Sequence, residues 1–194
     1  EPSFKGFRGY PGAICISVNE EVVHGLPGKR TFKSGDIVGL DIGIFYQGFH
    51  TDTAVTIGVG KISKDVEGLL QNTKKALFEG IKYCQVDNFL GDVQFAIQKT
   101  LEKANLGIVR DLVGHGVGRE LQEAPAIPNF GKAGTGPKLK VGMTLAIEPM
   151  STLGDYHIHI LDDGWTVVTV DHSLSAHFEH TVAVTKAGPK ILTE

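Results

Sequence analysis

Asp41 and Asp52 are the first residues in this chain that could do chemistry. They lie within GDIVGLDIGIFYQGFHTDTAVTIGVG, residues 35–60, eleven positions apart. Two β-branched, alternating runs over 37–45 and 49–57 read as a hairpin joined at Tyr46-Gln47-Gly48. An odd separation across an even loop puts both carboxylates on one face, opposite or nearly opposite each other. Like charges at that spacing repel, and either a shared proton or a bound cation relieves them. An edge hairpin with both aspartates facing water is the alternative. Gly39 and Gly43 flank Asp41 on its own face and leave space above the sheet, which favours a cation.

Three more groups of ligand type follow. His115 stands in GHGVGR, Glu148 ends a strand over 141–150, and Glu179 lies on a strand over 175–184 beside Ser175, His177, Thr181 and Ala183. Four carboxylates and one imidazole carry more negative charge than one zinc needs and suit two divalent cations. Cobalt, manganese, iron and zinc all fit such donors. Paired metals ~3.5–4 Å apart suit hydrolysis. The ligands are too dispersed for an EF-hand, and no Lys-Ser/Thr pair follows the glycines of GHGVGR, so a phosphate loop is excluded. We expect those glycines to let backbone and ligand approach His115. His24, in a loop flanked by Gly25 and Pro27, is either a functional group or a solvated histidine.

These residues need a scaffold, and the chain is long enough to supply one. Its 194 residues, 41% hydrophobic and 21% charged, fit a single globular domain. A net charge of −3 gives no electrostatic case for nucleic acid or an anionic membrane. Glycine, 25 residues, is about twice its ~7% average usage and points to tight turns and close backbone approaches. Two cysteines, Cys15 and Cys84, are too few for a disulfide framework, although a single bridge between them stays open. With no signal-peptide pattern and no run of ~20 apolar residues, we expect a cytoplasmic protein.

Period-2 alternation puts Val38, Leu40, Ile42 and Ile44 on the face away from Asp41, an apolar set expected to meet a core. Short strands are expected over 13–18 and 108–113, with a hairpin of 156–161 against 165–170. Spacings of three and four predict helices over 65–83, capped by Ser63, and over 88–105, stopped by Gly107. Residues 132–140 read as a surface loop and Gly188-Pro189 as a turn. The order is strand-rich, two helices, strand-rich, with acids presented from both halves.

The stretches YPGAICISVNEEVVHG, GDIVGLDIGIFYQGFHTD, VGHGVGRELQEAP, GMTLAIEPM and DGWTVVTVDHSLSAHFEHTVAVT resemble the type I methionine aminopeptidases. The resemblance implies an α+β pita-bread fold, two pseudo-symmetric halves around a curved antiparallel sheet covered by helices. It implies two divalent metal ions: Asp41 on one, His115 and Glu148 on the other, Asp52 and Glu179 bridging. It further implies removal of the initiator methionine from nascent polypeptides with a small second residue, by a metal-bound hydroxide with Glu148 as proton shuttle. Substrates would be met at the ribosome by a monomer with no nucleic-acid or membrane binding of its own. His24 matches a substrate-contacting histidine. Phe7, Tyr10, Cys15 and Trp165 match the methionine side-chain pocket, though they are also residues an ordinary core would hold. A proline-specific aminopeptidase or prolidase of the same fold, or a non-catalytic binding module, are the alternative readings.

Three departures stand out. Thr51 replaces a glycine before the second aspartate and should face away from the metals. Gln122 stands where the family has a histidine, so one catalytic contact is altered. Family members also begin with helices on the first half of the sheet, so residues 1–194 are expected to be a domain truncated at its N-terminus or to cover that apolar face another way.

Overall fold

Gln47 and Gly48 both adopt positive φ, 49° and 85°, giving the two-residue turn whose twist suits a long hairpin. The computed structural model describes residues 1–194. Strands Cys15–Val18 (β1) and Glu21–Val23 (β2) precede that hairpin, Ile37–Tyr46 (β3) and Phe49–Gly58 (β4). Helices Lys64–Lys82 (α1) and Leu90–Lys103 (α2) follow. The second half comprises Gly107–Ile108 (β5), Gly114–Gly116 (β6), Glu123–Ile127 (β7), Thr144–Ile147 (β8) and Met150–Thr152 (β9). It ends with Ile158–Ile160 (β10), Val167–Thr169 (β11), Ser175–His177 (β12), Glu179–Thr185 (β13) and Gly188–Ile191 (β14).

One antiparallel sheet runs β1-β3-β4-β13-β8-β6-β7, with β14 also on β13. Two smaller sheets, β10-β11-β2 and β12-β9-β5, complete the expected α+β pita-bread architecture. On β8 and β13, Leu145, Ile147, Val182 and Val184 pack against Leu69, Leu77, Ile97 and Leu101 of the helices, while the alternate residues face the other way. No helix is long and apolar enough to cross a membrane. Cys15 and Cys84 are both buried and free, so no bridge forms.

The Ser63 hydroxyl accepts from Val66 N–H at 3.3 Å and caps α1, as expected. Asp92 accepts from Phe89 N–H at 2.8 Å, so α2 starts later than residue 88. It also ends sooner than predicted. Asn105 takes the left-handed conformation (φ 54°) after the Ala104 cap, a role assigned in advance to Gly107, which instead pairs with Thr152 in β5.

The long strands predicted in the second half are broken. Residues 141–150 split into β8 in the large sheet and β9 in a small one, with Glu148-Pro149 at the switch. Residues 175–184 split likewise into β12 and β13, with Phe178 between. The strand expected over 108–113 survives only as β5, the 156–170 hairpin as three residues on each side, and Gly188-Pro189 begins a strand rather than a turn.

The apolar row of β3 is only partly covered. Val38 is buried, but Ile42 and Ile44 are 38% and 49% exposed because α1 and α2 cover the β8–β13 part of the sheet instead. Nor is the space above Gly43 left for a cation. A Cβ there would lie 2.7 Å from the Phe4 ring, so this glycine admits the N-terminal segment. In GHGVGR, Gly114 and Gly116 admit the backbone oxygens of Ala146 and Ala124, so their close approach serves sheet packing rather than a ligand.

Candidate metal centre and substrate pocket

The hairpin register pairs Gly43 with Asp52 and Asp41 with Ala54, so the two aspartates are diagonal neighbours on one face. Ala54 pairs onward with Glu179, and His115 pairs with Ala146, itself opposite Thr181. One sheet therefore presents Asp41, Asp52, Glu179 and His115 from four strands. The Thr181 hydroxyl accepts from Asp52 N–H and donates to Asp52 O, both at 2.8 Å, locking β4 to β13 beside the cluster. Thr51 pairs with Ile44, on the alternate face from Asp52, as expected.

Ligand-type atoms of Asp52, His115 and Glu179 lie within 4.8 Å of one another. His115 Nε2 is 4.0 Å from Asp52 Oδ2 and 3.4 Å from Glu148 Oε1. The His115 Nδ1–H donates to Gly116 O at 2.9 Å, which turns Nε2 toward the acids, the arrangement of a ligand imidazole. Asp41, Asp52, His115, Glu148 and Glu179 all line one cavity that opens to solvent.

Burial dominates the electrostatics. It pushes Asp41 up to about 7, with the charge of His177 acting against the rise. It also raises Asp52 and Glu179 well above the usual carboxylate range, helped by Asp41 and Glu148 at Asp52 and by Asp52 and Glu148 at Glu179. Of four buried side-chain polar atoms without a hydrogen-bond partner, Asp41 Oδ1, His177 Nε2 and Glu179 Oε1 line this cavity. Clustered carboxylates that resist ionisation, two of them with an orphaned oxygen, on one cavity with an imidazole fit divalent cations.

The other end of the cavity is apolar. Tyr10 and Cys15 are buried with Phe4 and Leu121, and Phe7 and Trp165 pack against them. The Tyr10 and Trp165 rings meet edge to face with centroids 5.1 Å apart, and the Tyr10 hydroxyl donates to Gly25 O at 3.0 Å. Burial raises the Cys15 thiol, which therefore lines the wall as an uncharged, polarisable group. His24 also lines the cavity, on a left-handed backbone (φ 58°), and burial lowers its pKa so that it stays neutral near pH 7. Gln122 is exposed at the rim.

All eleven residues singled out in the sequence thus reach one cavity. His177 was missed as a site residue. Burial alone would lower its pKa, but the Glu148 carboxylate 3.5 Å from its Nε2, with the charge of Asp41, raises it. Its sequence signal was its place two residues before Glu179 on the same alternating face. Phe4 and Leu121 were missed as well, and nothing in their spacing distinguishes them from ordinary core.

A model of metallopeptidase family M24 matches residues 3–186. The methionine aminopeptidase of Clostridium perfringens (strain 13 / Type A) is 53% identical over 192 residues, spanning 99% of this chain and 77% of that protein. Methionine aminopeptidase 1 of Bacillus subtilis (strain 168) is 50% identical over the same shares of both. The crystal structure of methionine aminopeptidase from Thermotoga maritima superposes with a TM-score of 0.98 at 52% identity, covering 100% of this chain and 78% of that one. With the sheet, the cavity and these likenesses in agreement, the chain belongs to metallopeptidase family M24.

Proposed function

We propose that this protein is a metal-dependent aminopeptidase that removes the N-terminal methionine from polypeptides whose second residue is small. The observation that carries the reading is the cavity's division into two ends. Five ligand-type side chains sit at one, and Phe7, Tyr10, Cys15 and Trp165 form an apolar, polarisable wall at the other. Newly made polypeptides carry such an end, and we propose that a cytoplasmic monomer meets them at or soon after leaving the ribosome.

Asp41, Asp52, His115, Glu148 and Glu179 would hold two divalent cations, with Asp52 and Glu179 shared between them. When bound, such cations supply a water of lowered pKa and a positive clamp for the scissile carbonyl. The protein's own groups do the rest. The apolar wall holds the methionine side chain and excludes water, fixing the first peptide bond against the acids. Glu148 takes a proton from the attacking water and gives it to the departing amine. Neutral His24 offers a hydrogen bond to bound substrate, and the Gln122 amide donates to the scissile amide without being able to deliver a proton. Turnover of Met-Ala peptides by protein replenished with a divalent cation tests the reading. No release of methionine under any of the four metals would overturn it.

A further inference from the structure

His177 is the one polar side chain at the charged end of the cavity with no role in that scheme. It is buried, and the nearest carboxylate to its Nε2 is Glu148 Oε2 at 3.5 Å. The opposite oxygen, Oε1, faces His115 Nε2 at 3.4 Å, so an imidazole stands on each side of the Glu148 carboxylate. The backbone allows His177 little freedom. Its N–H donates to Thr56 Oγ1 at 2.9 Å and its carbonyl accepts from the same hydroxyl at 2.8 Å. It pairs with Met150 across β9 and β12, and Phe178 N–H donates to Pro149 O at 3.3 Å. The two breaks that end β8 and β12 are therefore tied together, which fixes the separation of Glu148 and His177.

We infer that His177 is a positioning residue for Glu148: its Nε2, which has no other partner, stands 3.5 Å from Oε2 and closes on it as the donor when the Glu148 carboxylate is engaged. The contact turns Oε1 toward His115 and the cation side of the cavity and reserves Oε2 for the proton that hydrolysis moves. An imidazole held by its backbone on two strands sets that orientation more rigidly than a loop side chain could. The inference rests on the proposed role of Glu148 as ligand and proton carrier.

The test uses the full chain freed of metal and titrated calorimetrically with Co²⁺, as native protein and as His177→Gln and His177→Leu. Loss of an outer partner of a ligand typically weakens metal affinity or activity by about 10–100-fold. His177→Leu is expected to lose affinity in that range and at least about ten-fold in kcat, with KM little changed. His177→Gln, whose amide can donate to the same oxygen, should stay within about three-fold of native in both. Equal behaviour of native and His177→Leu, or equal impairment of both variants, would overturn the positioning role. A native protein that binds no Co²⁺ would overturn the ligand set and this inference with it. Whether or not the leucine variant folds, long-range ¹H–¹⁵N spectra of the native protein should show His177 Nε2 protonated, its signals assigned by their loss in His177→Gln. A bare Nε2 would overturn the inference.

Discussion

Cys15 lies directly opposite Asp41 across β1 and β3, so the apolar wall and the charged cluster share one cross-strand pair. On the proposed function, a methionine side chain resting against the thiol would be held a fixed step from the carboxylates, its distance to the first carbonyl set by the sheet itself.

Trp165, the only tryptophan in the chain, reports on that wall directly. Its emission should change saturably with added methionine and not with alanine. Trp165→Ala should lower kcat/KM for Met peptides by about 10–100-fold, the equivalent of losing an apolar contact of about 1.5–3 kcal/mol, while Co²⁺ affinity stays as it was. Emission indifferent to methionine would mean that Trp165 is structural core alone.

Gln122 should limit the chemical step. A donor to a developing negative charge is worth about 10²–10³ in kcat, and an amide keeps part of that but cannot become cationic. Gln122→His is expected to raise kcat about ten-fold, ~1.4 kcal/mol of barrier, with KM little changed and a new limb in the pH–rate profile. Gln122→Ala should fall below native. An unaltered kcat and pH profile in the histidine variant would show that position 122 is not a catalytic contact.

The metal-free protein should become less stable as pH rises. Asp41 is held near 7 by burial, above its unfolded value of about 4, so the folded state binds the extra proton. Its contribution is fully present below about pH 4 and is lost as pH rises through about 7, at up to ~1.4 kcal/mol per pH unit. Asp52 and Glu179 are raised too and act in the same sense. The surface acids Asp36, Asp155, Asp163 and Asp171 are lowered, by side-chain hydrogen bonds first, and work in the opposite sense only below about pH 4. Scanning calorimetry in chelator should therefore give a higher Tm at pH 5 than at pH 8, and a divalent cation should remove or reverse the trend. A Tm in chelator that rises with pH would contradict the electrostatic account.

The hairpin and its acids were legible in the sequence because a two-residue turn and period-2 alternation are local rules, and they placed Asp41 and Asp52 correctly. The helices were legible for the same reason, apart from the stop, where Asn105 took the left-handed position two residues earlier than Gly107 would have. Glu148 and Glu179 were found, but the breaks beside them were not. Alternation continues through Pro149 and Phe178 while the strand changes sheet, and only tertiary pairing reveals the switch. His177 was overlooked for that reason, since its meaning lies in its distance to Glu148 across those breaks. Local space was also misread at Gly43, where the neighbour is Phe4 from 39 residues upstream.

The central claim is that the acids of this cavity hold divalent cations to release methionine. Release of methionine from a Met-Ala peptide, measured for native protein and Asp52→Asn, after exhaustive chelation and after return of Co²⁺ or Mn²⁺, tests it most directly, with an Xaa-Pro peptide as comparison. We expect native activity to vanish on chelation and return with metal, Asp52→Asn to stay inactive throughout because a neutral amide cannot balance two shared cations, and the Xaa-Pro peptide to remain intact. Full activity after chelation or in Asp52→Asn would contradict the dinuclear site, and cleavage of the Xaa-Pro peptide in preference to Met-Ala would contradict the substrate.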